Sequence, residues 1–214
     1  GQRRVEVLTP VVKGWSSEVG NEIAGLGLQV HGGMGFIEET GAAQHYRDAR
    51  ITTIYEGTTG IQAADLVGRK LLRDAGAMVN EVIDLMRADV ATVSASPAEA
   101  VKEVGSAVLA LIESLSDATA AILESATRDP RSPFHKSYDY LMLWGVSAGG
   151  WQMARAANAA QQMLDAEQGD SDFCRTKILS CLYYARQVLP QGRAHAEAIQ
   201  AQDLPAEALD QWVS

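Results

Sequence analysis

The apolar residues of this chain recur at three- and four-residue intervals almost throughout, the pattern of helices that each bury one face. Over residues 3–27 the recurring positions are Val5, Leu8, Val12, Trp15, Val19, Ile23 and Leu26. Pro10 falls inside that run and predicts a kink or restart, because it lacks an N–H and its ring crowds the preceding turn. The glycines between Gly32 and Gly35 end the pattern. A short helix or turn is expected at 39–47, an extended or irregular piece at 51–55, and a further helix from about Thr59 to Arg73, with a boundary or bend at 74–76. Beyond it, Ser96-Pro97-Ala98-Glu99 combines an N-cap, a first-turn proline and a capping-box acid, which predicts a helix start. Val101, Val104, Val108, Leu111, Leu115, Ala118 and Ile122 carry that helix to a turn at Asp129-Pro130. A third long helix, about 133–167, holds Gly145, Ala148, Gly149, Ala156 and Ala160, small residues that admit a close neighbour. A fourth follows Gly169-Asp170-Ser171, and a short terminal helix is expected at 204–212. Short connections between long helices imply antiparallel packing. The expected fold is all-α, an antiparallel helical bundle over 1–76 followed by a second helical bundle over 77–214.

Composition narrows the function classes. The chain has 214 residues, enough for one or two cores, and a net charge of −9. Residues 1–74 carry 8 basic against 9 acidic side chains and residues 75–214 carry 10 against 18, so the acid is concentrated in the second part. A nucleic-acid surface needs a basic stripe to displace counterions, and an interfacial membrane helix needs a Lys/Arg-rich face. Neither partner is expected. Cys174 and Cys181 lie seven residues apart on one expected helix, about 10 Å at the helical rise, too far to bridge. Both read as buried thiols of a reducing compartment. His31, His45, His135 and His195 are scattered, so no metal site is expected. With no initiator Met, no signal peptide and no apolar run judged long enough to span a bilayer, the chain reads as a C-terminal fragment of a cytoplasmic protein.

The chemistry points to one segment, Tyr55-Glu56-Gly57-Thr58-Thr59-Gly60-Ile61-Gln62. It puts a carboxylate on a loop just before a helix start, with Thr58 or Thr59 as cap, Gln62 placed as in a capping box, and two glycines that let a ligand approach the backbone. By position alone Glu56 reads as a solvated loop acid. A second glycine cluster, Gln29-Val30-His31-Gly32-Gly33-Met34-Gly35-Phe36, lies upstream, and Tyr46-Arg47-Asp48-Ala49-Arg50-Ile51 comes between. A glycine C-cap with an exposed glutamine is the plain structural reading of that cluster, and N-capping is that of Thr58.

Taken together, in this order, the three blocks resemble the acyl-CoA dehydrogenase family. The resemblance covers about residues 1–74, the last helical part of that family's catalytic unit, and residues 77–214 resemble the additional C-terminal helical region of its longer members, including those acting on long acyl chains and on methylthio-propanoyl-CoA. It implies that Glu56 is the base removing the α-proton of an acyl-CoA thioester while the β-hydrogen leaves as hydride to FAD. A thioester α-carbon is a weak acid, so such a base must be positioned and desolvated, and the developing enolate oxygen needs donors. In the family these are a backbone N–H at the glutamate and a flavin hydroxyl. The resemblance further implies that Gly57 lets substrate pass close to the backbone, and that Gln29, Gly32 and Gly33 touch the adenosine or pyrophosphate part of FAD, commonly in a neighbouring subunit. Thr58 matches a residue near the flavin, and Gly60 stands where the family often has a glutamine that bonds FAD. Arg47, Asp48 and Arg50 are expected to form an ion pair that fixes the base's loop rather than a phosphate clamp. An electron-transferring flavoprotein as acceptor and a homodimer or homotetramer are the implied partners. The alternative is a non-catalytic helical binding or oligomerisation module of the same fold.

Overall fold

Residue Pro10 does not interrupt the first helix, α1, which runs unbroken over Gln2–Val30 in the computed structural model. The proline ring lies in the buried face with Val7, Val11, Gly14 and Ser17, where its packing offsets the lost backbone hydrogen bond. That face is not the stripe expected from periodicity. Val5, Val12, Ile23 and Leu26 are 58–64% exposed, while Leu8 and Trp15 pack half-buried against the core. The structure describes residues 1–201, helices joined by turns, bends and short irregular links with no strand among them; the helix expected at 204–212 lies outside the described residues.

After α1 come a short helix α2 (Gly33–Phe36), a 3-10 turn (Glu38–Thr40) and α3 (Ala42–Ile51). Residues 51–55 are a chain of turns rather than an extended piece: the Ile54 and Tyr55 N–H groups both donate to the Ile51 carbonyl, so the backbone coils instead of opening. The next helix starts as α4 (Thr59–Asp65), widens into a π segment (Leu66–Leu71) and tightens into a 3-10 turn (Leu72–Asp74). The bend expected at 74–76 is built from Ala75 (φ 53°) and Gly76 (φ 85°).

Then α5 (Ala77–Ser94) buries Val79, Val82, Ile83, Met86, Val90 and Val93. Its partner α6 (Glu99–Arg128) begins at Glu99, later than the motif predicted, because the Ser96 hydroxyl accepts from the nearby Ala98 N–H and makes a turn instead of a cap. Contrary to expectation, α6 is long and apolar enough to cross a membrane by length and composition. In this fold its stripe of Val101, Val104, Val108, Leu111, Ile112, Leu115 and Ile122 is buried, with α5, α8 and α10 packed around the helix. Each such side chain is worth about 1.5–3 kcal/mol of burial. After the short α7 (Ser132–His135) come α8 (Ser137–Asp165), α9 (Ser171–Tyr183), a π segment (Tyr184–Val188) and α10 (Leu189–Gln200). Asp170 caps α9, its carboxylate accepting from the Asp172 and Phe173 N–H groups. Cys174 and Cys181 are both buried and unbridged, and burial pushes the Cys181 thiol up.

The small residues of α8 do what their size predicts. A Cβ on Gly145 would sit 2.0 Å from Cγ of Trp15, so α1 and α8 approach through that position, while Gly149 receives the Tyr184 hydroxyl, which donates to the Val146 carbonyl. Deeper in, the Tyr140 hydroxyl meets that of Thr119 at 2.8 Å, and burial pushes Tyr140 up to about 12. These contacts hold α1 firmly enough to serve as the rail on which the loops of the first 60 residues are mounted.

Candidate functional site

Glu56 sits on the turn between α3 and α4 with its backbone in the left-handed region at φ 53°, followed by Gly57 at φ 89°. A left-handed non-glycine residue costs on the order of 1 kcal/mol and persists only where its surroundings impose it. Here they do. The Gln62 side-chain amide donates to the Glu56 carbonyl at 3.2 Å, and Lys13 Nζ donates to the carbonyls of Gly57 at 2.6 Å and Thr52 at 2.9 Å. The Glu56 side chain is exposed, and its N–H makes no hydrogen bond among the described residues.

Capping at the start of α4 divides between the two threonines. Thr58 is the N-cap, its hydroxyl accepting from the Ile61 N–H at 3.4 Å, while the buried Thr59 hydroxyl donates to Glu18 on α1 at 2.6 Å. Gln62 is therefore not the acid-side partner of a capping box. It stands one residue too far along from Thr58 and turns back to the Glu56 carbonyl. Gly57 is required by its φ, and a Cβ there would also come within 3.0 Å of the Gln62 amide. Gly60 is exposed, with no neighbour closer than 3.9 Å to a built Cβ.

The expected brace of Arg47, Asp48 and Arg50 does not form. Arg47 pairs with Glu38, on the other side of α3, and neither Asp48 nor Arg50 joins an ion pair among the described residues. The brace comes from α1 instead, whose residues 13, 17 and 21 lie on one face at a spacing of four. Besides Lys13, Asn21 donates to the Ala49 carbonyl at 3.0 Å and to that of Ser17 at 2.8 Å. Sequence reasoning missed Lys13, Glu18 and Asn21. Their polar spacing along an otherwise amphipathic helix was the available signal.

The glycine block lies at the far end of α1. Gly32 is left-handed at φ 59°, and its N–H donates to the Gln29 carbonyl at 3.0 Å, closing the helix. Gly35 is demanded by packing, since a Cβ would come within 2.3 Å of the Leu28 carbonyl. The Thr40 hydroxyl then donates to the Met34 carbonyl and pins the loop. Gln29, Gly32 and Gly33 are exposed, and both glycines have open space where a Cβ would be. A hollow of about 290 Å³ beside them is lined by Leu28, His31, Thr40 and His45. The sixteen residues from Lys13 to Gln29 set this block about 24 Å from the Glu56 loop along the helix. Of the sequence-predicted residues, Glu56, Gly57, Thr58 and Gly60 are brought together, and Gln29, Gly32 and Gly33 form a separate group.

A groove of about 830 Å³ between α1, α3, α8 and α10 includes none of these residues. Its walls carry Glu22, Tyr46, Arg50, Tyr138 and His195, the last paired with Asp139 at 2.8 Å. Size alone does not make it the reactive site. The exposed carboxylate of Glu56, on a strained and braced stretch of backbone, is the candidate for chemistry.

Two family models match the chain. Residues 1–72 match the acyl-CoA dehydrogenase C-terminal domain and residues 77–210 a model described as acetyl-CoA dehydrogenase C-terminal like. The chain belongs to the acyl-CoA dehydrogenase family. It is similar to 3-methylmercaptopropionyl-CoA dehydrogenase of Ruegeria pomeroyi, with 42% identity over 205 residues, covering 92% of this chain and 33% of that protein. It is also similar to the broad-specificity linear acyl-CoA dehydrogenase FadE5 of Mycobacterium tuberculosis, 30% identical over 212 residues, 96% of this chain and 35% of that protein. A shorter match, 43% over 61 residues, covers 28% of this chain and 16% of the caffeyl-CoA reductase-Etf complex subunit CarC of Acetobacterium woodii. The chain thus spans about a third of the length of the two relatives that cover nearly all of it.

Proposed function

We propose that this chain is the C-terminal part of an FAD-dependent acyl-CoA dehydrogenase, divided near residue 76, in which Glu56 removes the α-proton of an acyl-CoA thioester. The observation that carries this reading is the Glu56 carboxylate itself. Its side chain is exposed on a left-handed backbone, and the main-chain carbonyls of Glu56 and Gly57 that carry it are held by Gln62 and Lys13. A base needs that pre-positioning before it can act on a weak carbon acid. The unused Glu56 N–H is available to the thioester oxygen as negative charge gathers there, which is how a backbone donor lowers such a barrier. Left-handed Gly57 keeps the space beside the carboxylate clear of a side chain. Desolvation of the carboxylate falls to the bound substrate and to the parts of the longer protein that this chain does not include.

For the cofactor, the residues present are compatible with FAD. Gln29, Gly32 and Gly33 offer an exposed amide side chain and open backbone at one end of α1, and Thr58 and Gly60 lie exposed beside the base at the other. FAD, when bound, supplies the acceptor for the hydride that leaves the β-carbon. The separation of the two groups favours Gln29, Gly32 and Gly33 serving the flavin of a neighbouring subunit in a homodimer or homotetramer. An electron-transferring flavoprotein is the proposed acceptor, supported by the Etf complex in the name of one relative.

The test is anaerobic titration of the full-length parent protein with a panel of acyl-CoAs, following flavin absorbance in wild type and in Glu56→Gln. Bleaching in the wild type alone, with FAD retained by both, supports the assignment and ranks the substrates. Bleaching at the wild-type rate in Glu56→Gln removes Glu56 from the reaction.

A further inference from the structure

Lys13 lies 43 residues before Glu56, on a different element, yet its ammonium group makes two of the contacts that shape the Glu56 loop. It is part-buried, 5.8 Å from the centre of the Tyr55 ring, and donates to two carbonyls from separate stretches of backbone. One is that of Thr52, the residue that closes α3. The last carbonyls of a helix lack partners and carry the negative end of its dipole, so a cation is favoured there. The other is that of Gly57, immediately after Glu56. One charge therefore couples the end of α3 to the far side of the Glu56 turn.

We infer that Lys13 is the positioning residue for the base: it acts through the backbone on where the Glu56 carboxylate stands, without itself touching substrate. This rests on the reading of Glu56 as the base. The geometry explains why the position suits a lysine. A hydrogen bond from a charged donor to a carbonyl is about twice as strong as a neutral one, and an ammonium has three donors, enough for both carbonyls at once. Neither the Asn21 nor the Gln62 contact substitutes for it, since Asn21 grips α3 at Ala49 and Gln62 holds the Glu56 carbonyl from the α4 side. Without Lys13, the two consecutive left-handed residues lose their anchor on the Gly57 side and relax.

The experiment uses the full-length flavoprotein and measures the rate of flavin reduction per bound FAD at saturating acyl-CoA, with KM and FAD content recorded beside it. Lys13→Met and Lys13→Gln each remove the charge, the second keeping a polar group in the part-buried site should the first not fold. Displacing a reacting group by about an ångström costs on the order of 100-fold in rate, and a loss of about 10- to 100-fold is expected, with KM within a few-fold of wild type and FAD content unchanged. Lys13→Arg, which can still reach two carbonyls, is expected to recover at least about tenfold of that loss. A merely structural role would lower melting temperature and FAD content while leaving the rate per bound flavin alone. A rate within twofold of wild type in either uncharged variant overturns the inference. Glu56→Gln run in parallel separates the two ideas: if it keeps the wild-type rate, the base assignment fails, whereas its inactivity beside a fully active Lys13→Met refutes Lys13 alone.

Discussion

The same substitution, glycine to alanine, is expected to have opposite effects at two positions, and the pair tests how α1 and α8 are joined. In a helix interior alanine is favoured over glycine by about 1 kcal/mol. At Gly20 of α1 nothing lies within 4 Å of a built Cβ, so the full gain is available. At Gly145 of α8 the new carbon would lie 2.0 Å from Cγ, 2.3 Å from Cδ1 and 2.5 Å from Cβ of Trp15. Rotation about Cα–Cβ can move Cγ and Cδ1, but Cβ is fixed to the Trp15 backbone, so the helices must part by roughly an ångström. Overpacking of this kind costs about 1–3 kcal/mol, and its upper range applies, leaving a net loss of about 1–2 kcal/mol after the helical gain. For a chain of this size 1 kcal/mol is about 2–4 °C in Tm. Thermal unfolding followed by circular dichroism should therefore give Gly20→Ala about 2–4 °C above wild type and Gly145→Ala about 2–8 °C below it. A Gly145→Ala protein as stable as wild type would refute the close approach of α1 and α8 at Trp15.

Three further outcomes are expected. Gly57→Ala places a side chain at φ 89° against Gln62 and should cost about 1–2 kcal/mol in urea unfolding while slowing flavin reduction in the parent protein; unchanged values would show that the turn is not left-handed there. Tyr140→Phe leaves the Thr119 hydroxyl bonded to the Leu115 carbonyl and should cost only about 1 kcal/mol, and because burial raises the tyrosine to about 12, its contribution is intact below pH 10 and fades as pH rises toward 12, measurable as urea midpoints across that range. Glu113 is held below its usual 4.5 by the hydrogen bond from Arg87, so the pair stabilises above that pH and is lost as pH falls through the lowered value; Arg87→Gln should flatten that acid dependence, with an effect at pH 7 of no more than about 1 kcal/mol because both groups are half exposed.

Local signals were read well where a residue's partner is nearby in sequence. The glycine stop after Val30, the helix start after Gly169-Asp170-Ser171 and the bend at 74–76 all depend on neighbours within a few positions. Val79, Val82, Ile83, Met86, Val90 and Val93 mark α5 by the same spacing that marks α6, so that helix too is legible locally. The stripe on α1 is a different matter. Two apolar rows share that helix, and only the tertiary arrangement decides that Val7 and Val11 go inward while Val5 and Val12 stay out. The Glu56 loop shows the same division. Glu56 and the Thr58 cap could be picked out locally, but the brace could not, because Lys13 bonds to backbone carbonyls 39 and 44 residues away. A carbonyl is present at every residue, so nothing in the amino-acid letters marks which one a lysine will meet. Arg47 was the more obvious cation and found Glu38 instead.

The two π segments, Leu66–Leu71 and Tyr184–Val188, bear on how chains of this family can vary in length. Each closes its hydrogen bonds one residue wider than an α-helix and so stores one extra residue inside an otherwise continuous rod. In α6 a deletion would swing every later side chain by about 100° and take the valine and leucine row out of the core. At a π segment the same deletion can be absorbed by reverting to ordinary α geometry. Relatives one residue shorter at these two places would thus keep the same buried rows on either side, and the gap would record a change of winding within a helix rather than the trimming of a loop.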